Sequence, residues 1–419
     1  MTEIEKNFVK IHKNDDVDDL LLHASKYPEV DMKVVAEQIR GWQIASRKLP
    51  LWAKTDGVIY PPHLSMEQCS SEQTAAYKAE LISIYQPSER PFCMTDLTGG
   101  FGVDAVMMAR GVKNASVTYV ERNPELCRLA RHNFPLLGVR DFRVAEGDCE
   151  EELEDMVYTD LIYIDPARRD THGRKTYAIE DCTPDVCRLQ DRLVDIAPLV
   201  LIKLSPMLDL NDAVAKLKYL SEIHVVSVDG ECKELLVLLI HERLGQEGVE
   251  ELDLIESSDE AIEPTIYSVN IIGDGTKRES FVFTREEEEN ANCHFADKPL
   301  SFLFEPNASV LKAGAFKSVA CRYNLQKLHP NSHLYTSDIF QSKFSGRKFK
   351  VIDTFSFQKK DIKRLTASVE KANITVRNFP MSVADLRKRI KISEGGNDYL
   401  FATTLKDNSK VLILCKKLD

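Results

Sequence analysis

Residues 94–104 read Met94-Thr95-Asp96-Leu97-Thr98-Gly99-Gly100-Phe101-Gly102-Val103-Asp104. An apolar lead through Phe92 and Met94 ends in the acid Asp96, a glycine-rich turn follows, and from Val103 the run DAVMMARG has helical character. Strand, glycine turn and helix in that order open a βαβ unit whose backbone must pass close to a ligand. Gly100-x-Gly102-x-x-Ala105 fits the loose dinucleotide fingerprint, so two nucleotide-type ligands compete for the turn. Asp96 separates them. A dinucleotide site holds a pyrophosphate on helix-terminal N–H groups, and a carboxylate just ahead of the paired glycines would repel it. The same carboxylate attracts the ammonium and sulfonium of S-adenosylmethionine, which is therefore the expected cofactor.

The chain downstream supports that choice. Ala115–Val120 reads as a second strand ending in Glu121, an acid placed to take both ribose hydroxyls. Phe142–Ala145 runs into Glu146-Gly147-Asp148, where a carboxylate could accept from an adenine amino group. Asp160–Ile164 is an apolar strand that ends in Asp165-Pro166-Ala167-Arg168-Arg169-Asp170, and Leu199–Leu204 is the next. Glu222–Val228 and Lys233–Ile240 are two strands joined by Asp229-Gly230-Glu231-Cys232, a hairpin signal. Strands alternating with helices and closing on an antiparallel hairpin resemble the class I methyltransferase fold over residues 90–241. The cofactor-binding set expected on this resemblance is Asp96, Thr98, Gly99, Gly100, Gly102, Glu121, Arg122, Asp148 and Cys149.

Composition sets the bounds. At 419 residues the chain is long enough for two to four domains, and 43% apolar with 29% charged residues is ordinary for a globular protein. The opening MTEIEKNFVK has no apolar core of signal-peptide type, and no run reaches the ~18 apolar residues of a membrane span. Ten cysteines without CxxC pairs point to reduced thiols in a cytoplasm, and their spacing fits no metal site. The net charge of −11 divides unevenly: residues 340–419 hold 18 basic against 8 acidic residues, the remaining 339 hold 37 against 58. A basic module attached to an acidic body is suited to a polyanion.

Residues 1–88 read as a helical region. Asp15–Ser25, Val30–Ser46 and Ser70–Tyr85 carry apolar residues at three- and four-residue spacing, with Pro50, Pro61 and Pro62 between them. In the methyltransferases that this chain resembles, the segment just before the first strand often covers the cofactor, which makes Glu72, Gln73 and Thr74 candidate contacts. The catalytic domain follows over 89–241 and an acidic linker over 242–261. A small α/β unit over 262–338 contains strands Ile266–Ile272, Ser280–Thr284 and Ser301–Phe304 and a helix Ala308–Tyr323. The basic module over 339–419 alternates the strand GRKFKVIDTFSF, a helix Lys359–Asn373, the strand ITVRNF, a helix Val383–Ile392 and two closing strands, which makes a two-layer α/β domain.

Taken whole, the chain resembles a bacterial family in which a class I methyltransferase is followed by a ferredoxin-like segment and a THUMP-like domain. The residues that carry the resemblance are Asp96–Gly102, Asp165–Asp170, Phe304-Glu305-Pro306-Asn307, Phe344–Asp353 and Leu386–Arg389. The fold expected is α/β: a Rossmann-like class I methyltransferase sheet with a helical N-terminal region and a small C-terminal THUMP-like α/β module. The resemblance implies methyl transfer from S-adenosylmethionine to structured RNA, tRNA or rRNA, gripped by residues 339–419, with no membrane partner.

Asp165-Pro166-Ala167-Arg168 falls where amine methyltransferases carry an acid, two prolines and an aromatic. There the acid and a backbone carbonyl accept hydrogen bonds from an exocyclic amine and aim its lone pair at the methyl group. Because the methyl is already activated on sulfur, alignment supplies most of the rate. Here Ala167 replaces the second proline and Arg168 the aromatic, although a guanidinium plane can stack on a base. Asp165, Pro166 and Arg168 are the catalytic candidates. Methylation of a pyrimidine carbon usually needs a cysteine nucleophile, and none follows Pro166. Two alternatives stand beside RNA methylation: a methyltransferase of a protein or small molecule, and a non-catalytic RNA-binding protein with a retained cofactor pocket.

Overall fold

Apolar runs of four to seven residues, each ending in a polar turn, become the parallel strands of a central sheet. They are β1 (Phe92–Asp96), β2 (Ala115–Glu121), β3 (Phe142–Glu146), β4 (Leu161–Ile164) and β5 (Leu199–Leu204). The computed structural model describes residues 1–87, 90–167, 178–240 and 263–418. The linker expected over 242–261 lies outside them, as do Arg168, Arg169 and Asp170. Two compact units are formed: Met1–Ser221 with Leu235–Ile262, and Glu222–Glu234 with Glu263–Asp419.

In the first unit the strand order is β3-β2-β1-β4-β5-β7, where β6 is Leu220–Val228 and β7 is Glu231–Ile240. β1 pairs in parallel with both β2 and β4, and β7 runs antiparallel to β5 with Leu199 opposite Ile240. β4 is buried along its whole length, as expected of a strand covered on both faces. The chain order reverses between β1 and β4, and a crevice at such a switch point is where doubly wound sheets hold ligands.

The N-terminal region is helical, as its periodicity predicts. A Thr2–Glu5 capping box starts the helix Glu3–His12, and Asp31 caps Met32–Lys48. These helices bury Phe8, Val17, Leu20, Val35 and Ile39 against one another. The helix expected over Asp15–Ser25 is shorter, Val17–Leu22, because the Asp16 carboxylate accepts from Asp19 N–H and starts it late. Two short helices, Pro50–Lys54 and His63–Gln68, occupy the proline-rich stretch, and Glu72–Ser83 leads to β1. Between them the backbone of Ile59 and Tyr60 has no strand to pair with. The Asn133 amide meets both polar groups of Ile59 (3.0 and 2.9 Å), and the Gln38 amide does the same for Tyr60 (2.9 and 2.8 Å).

In the second unit β6 pairs in parallel with β8 (Thr265–Ile272), and β8 in turn with antiparallel β9 (Lys277–Phe283). The later strands are β10 (Phe302–Pro306), β11 (Gln326–Lys327), β12 (Tyr335–Ser337), β13 (Gly346–Ser356), β14 (Asn373–Arg377), β15 (Asp398–Thr404) and β16 (Lys410–Leu418). They form a separate sheet in the order β11-β12-β10-β13-β16-β15-β14. The strands anticipated together over 262–338 are thus shared between two sheets. A register shift between Val351 and Asp353 bends β13. Leu365, Leu386 and Ile390 of two helices pack on Leu400 and Leu412. The single helix expected over Ala308–Tyr323 is two, Ala308–Ala313 and Ser318–Arg322, because Gly314 takes a left-handed conformation (φ +85°) that ends the first. The helix expected over Lys359–Asn373 stops at Ser368, and Asn373 opens β14.

Candidate functional site

The glycine turn after β1 is shaped by close approach. Gly100 (φ +54°) and Gly102 (φ +78°) adopt left-handed conformations, and Gly102 precedes the helix Val103–Gly111. A side chain on Gly99 would place its Cβ 2.2 Å from the Tyr119 ring, and one on Gly102 would stand 2.6 Å from Phe134. Gly99 N–H donates to Val120 O at 2.9 Å, and the Tyr119 hydroxyl donates to Gly100 O at 2.5 Å. Phe101 packs beside Trp52 and Tyr60 of the N-terminal region, with ring centroids 6.4 and 6.5 Å away.

Glu121, at the end of β2, braces the turn. One carboxylate oxygen accepts from Gly100 N–H at 2.9 Å and the other from Asn123 N–H at 2.8 Å. Each oxygen keeps a lone pair for a further donor. Asp96 ends β1 only 3% exposed, and its Oδ1 accepts from Thr98 N–H at 3.0 Å. Burial pushes its carboxyl well above the usual range, and the negative charges of Asp104, Asp165 and Glu121 push the same way. Among the described residues neither Asp96 nor Glu121 has a cationic partner, and both accept only from backbone N–H groups.

Asp165 follows β4. Its N–H donates to the Thr98 hydroxyl at 2.7 Å, and its Oδ2 accepts from the Lys203 ammonium at 2.5 Å. Pro166 is buried, while Ala167 forms an isolated bridge with Thr183. Thr98, expected among the cofactor contacts, thus joins the glycine turn to Asp165. Asp148 is exposed and caps the helix Cys149–Asp155 by accepting from Glu150 N–H. Gly147 N–H donates to Glu121 O at 3.2 Å, so the β3 turn lies against the end of β2. Burial raises the Cys149 thiol to about 11. Arg122 is exposed. Asp96, Thr98, Gly99, Gly100, Gly102, Glu121 and Asp165 come together at the strand ends, with Asp148 and Cys149 on the adjoining turn. Arg168 lies outside the described residues.

Four residues of this region escaped sequence reasoning. Asp104, in the first turn after Gly102, accepts from the hydroxyls of Ser70 (2.6 Å) and Tyr163 (2.8 Å). Its other oxygen faces the wholly buried Lys78 ammonium at 3.2 Å, an ion contact without hydrogen-bond geometry. Burial alone would raise the Asp104 carboxyl, but Lys78 and Lys203, helped by the two hydroxyls, hold it below the usual range. Ser70 and Lys78 thus tie the N-terminal region to the floor. Glu72, a candidate to cover the cofactor, accepts through Oε2 from Leu51 N–H (2.6 Å). Lys203, the fourth, was passed over inside the apolar run of β5. A charged residue on the apolar face of a predicted helix or strand is the signal that could have found Lys78, Asp104 and Lys203.

In the second unit the basic side chains sort by partner. Glu305, buried, takes Arg347 (Nε at 2.7 Å) and Arg377 (Nε at 2.9 Å). Arg387 donates to carbonyls of Ala372 and Ile392, and Lys416 pairs with Asp398. Lys348, Lys359, Lys360 and Lys363 have no such partner among the described residues. No group of three or more His, Cys, Asp or Glu among the described residues is arranged for a metal, and no described helix is long and apolar enough to cross a membrane.

Comparison with known proteins places the chain. Residues 302–344 match a ferredoxin-like domain family and residues 346–417 a THUMP domain-like family. A crystal structure of a "putative methyltransferase" from Porphyromonas gingivalis W83 is 37% identical, covers 99% of this chain and 98% of its own, and superposes with a TM-score of 0.84. A SAM-dependent methyltransferase from Agrobacterium tumefaciens is 21% identical over 32% of this chain and 44% of its own (TM-score 0.25). A precorrin-6y C5,15-methyltransferase from Geobacter metallireducens is 16% identical over 46% and 96% (TM-score 0.30). Likenesses at these two scores carry no weight for function. A search of curated proteins found no match.

Proposed function

The chain belongs to the class I S-adenosylmethionine-dependent methyltransferase family with C-terminal ferredoxin-like and THUMP-like domains, and from that premise we propose that it methylates an exocyclic amine of an RNA base, guanine first among them. The observation that carries the reading is the acidic floor at the β1–β4 switch point, where buried Asp96 stands among Asp104, Glu121 and Asp165. A cofactor with an ammonium and a sulfonium would relieve that excess, whereas a pyrophosphate would aggravate it. Gly99 and Gly102 give their side-chain space to Tyr119 and Phe134, while Gly100, with no atom nearer than 3.8 Å to a Cβ placed on it, leaves its backbone open to a ligand.

In this reading Asp96 attracts the cofactor's positive groups, Glu121 accepts its ribose hydroxyls and Asp148 its adenine amino group. Backbone of Thr98 to Gly102 lines the path, and Arg122 and Cys149 flank it. When bound, S-adenosylmethionine supplies a methyl group already activated on sulfur. Asp165 then accepts a hydrogen bond from the amine and directs its lone pair, and buried Pro166 holds the turn in shape. The substrate base must leave its stack, which costs least in an unpaired region of tRNA or rRNA. The family match over residues 346–417 and the surplus of basic residues after 340 support RNA as the partner.

Two experiments test this. Calorimetric titration with S-adenosylmethionine should give saturable binding, and its absence would leave a non-catalytic protein. Methyl-tritiated cofactor incubated with total RNA and with total protein should label the RNA. Label in protein alone would overturn the RNA assignment, and nucleoside mass spectrometry showing methyl on ribose or a ring carbon would overturn the amine.

A further inference from the structure

We propose that Lys203 is a positioning residue for this methyl transfer: its ammonium holds Asp165 as a fixed hydrogen-bond acceptor, so that Asp165 aims the amine and does not carry away its proton. The inference rests on the reading of Asp165 as the group that meets the acceptor. β4 and β5 are parallel neighbours with Ile164 opposite Ile202, so Asp165 and Lys203 leave the sheet side by side at its carboxyl end. The Lys203 side chain is 14% exposed and that of Asp165 36%. Lys203 is the one residue of β5 that is not buried. An ammonium set in an apolar central strand is costly unless a charge partner meets it there.

The local charges show what it balances. Facing the crevice are Asp96 from β1, Asp104 from the following helix, Glu121 from β2 and Asp165 from β4, with the Tyr163 hydroxyl already given to Asp104. Only two ammonium groups meet these acids among the described residues. Lys78 sits against Asp104, while Lys203 touches Asp165 and also acts on Asp104 across space. Asp165 is consequently held at two points, its N–H by Thr98 and its Oδ2 by Lys203. Its Oδ1 has no partner among the described residues and is the atom left for an incoming amine.

A carboxylate already neutralised by an ammonium is a good acceptor of a hydrogen bond and a poor sink for a proton. The lysine, protonated while it donates, cannot take the proton either. The step then balances without a protein base. The amine lone pair forms the N–C bond, the S–C bond breaks with its electrons going to sulfur, and the cationic methylated amine loses its proton to water. What the pair contributes is alignment, and misplacing a reacting group by about 1 Å can cost 10²-fold.

The test compares wild type with Lys203→Met, Lys203→Gln, Lys203→Arg, Asp165→Asn and the Lys203→Met/Asp165→Asn double variant, using tritiated S-adenosylmethionine with total RNA and total protein. Lys203→Met and Lys203→Gln should each lose roughly 10- to 100-fold in kcat while cofactor affinity by calorimetry stays within about threefold. Lys203→Arg should recover most of the loss. Asp165→Asn, whose amide oxygen still accepts, should lower kcat without abolishing transfer, and the double variant should be no worse than the poorer single one. Wild-type rates in Lys203→Met, or losses that multiply in the double variant, would overturn the inference. So would complete loss in Asp165→Asn. Label in protein but not RNA would overturn the proposed substrate and leave the Lys203 comparison readable on the protein pool. No label in either pool would overturn both.

Discussion

Gly99→Ala is the sharpest probe of how the turn is built, because Gly99 is not in a left-handed conformation and the effect reduces to space. The new Cβ would stand 2.2, 2.4 and 2.6 Å from Cε2, Cζ and Cδ2 of Tyr119, where ordinary carbon contacts lie at 3.5–4.0 Å. Something must move by more than 1 Å. Tyr119 has nowhere to go: it is fully buried, its ring lies 5.4 Å from that of Phe134, and its hydroxyl is bonded to Gly100 O. Gly99 is held by its own bond to Val120 O. Overpacking of this kind costs about 1–3 kcal/mol, and with both sides pinned the upper half of that range is expected. That corresponds to a fall in melting temperature of roughly 4–12 °C for a unit of this size. A displaced turn also pulls Gly100 from Glu121, so affinity for S-adenosylmethionine should drop about tenfold or more. Gly147→Ala is the matched control, since nothing lies within 4 Å of its added carbon. Urea unfolding and calorimetry of both variants, with Tyr119→Leu added to relieve the first, make the measurement. A Gly99→Ala protein as stable as Gly147→Ala, or one that Tyr119→Leu does nothing to rescue, would refute the packing argument.

Four further outcomes are expected. Because the Asp96 carboxyl is raised by burial and binds a cation best when ionised, cofactor affinity should climb as pH rises through its elevated value. A proton should be released on binding in that window, which calorimetry in two buffers of different protonation enthalpy detects. The same shift acts on stability in the opposite sense: the contribution is present below the unfolded carboxylate value and lost as pH rises through the folded one. Lys78→Met strands the Asp104 charge and should cost about 3–5 kcal/mol in urea unfolding, much of it recovered by adding Asp104→Leu. Glu121→Ala should weaken cofactor binding by ~1.5–3 kcal/mol for each charged hydrogen bond lost, read by calorimetry. Replacing Lys359, Lys360 and Lys363 with Glu should weaken RNA binding and lower the slope of log affinity against log salt by ~0.7–0.9 per contact removed.

The strand ends were legible in the sequence because each apolar run stops at an acid: Asp96, Glu121 and Asp165 could be assigned to the floor from one-dimensional pattern alone. The left-handed glycines were legible for the same reason, since few residues but glycine serve in a tight strand-to-helix turn. The neutralising cations were not. Lys78 and Lys203 look like single interruptions of apolar faces, and their partners stand 26 and 38 residues away in the chain. Only the register of β4 on β5 and the approach of the helix Glu72–Ser83 bring them together. Helix ends depart from the periodicity where a local feature overrides it: the Asp16 carboxylate capping Asp19 N–H, and the left-handed backbone of Gly314. The partition of strands between sheets in the second unit depends on pairings that no periodicity encodes.

The charge set around Asp104 also bears on how the first unit comes apart. Its members arrive from three separate segments: Ser70 just ahead of the helix Glu72–Ser83 with Lys78 inside it, Asp104 in the helix after the glycine turn, and Tyr163 in β4. If the N-terminal helices peeled away while the sheet stayed intact, Asp104 would be left in a poorly solvated place without its counter-charge, and Lys78 would lose its own. Such a half-open form carries a penalty that neither the complete nor the fully unfolded chain bears. The ion pair thus adds less to the depth of the native state than to the emptiness of the states beside it. Amide exchange in residues 72–83 should therefore track the slowest-exchanging strands of the sheet, and in Lys78→Met/Asp104→Leu the helices should open first and alone.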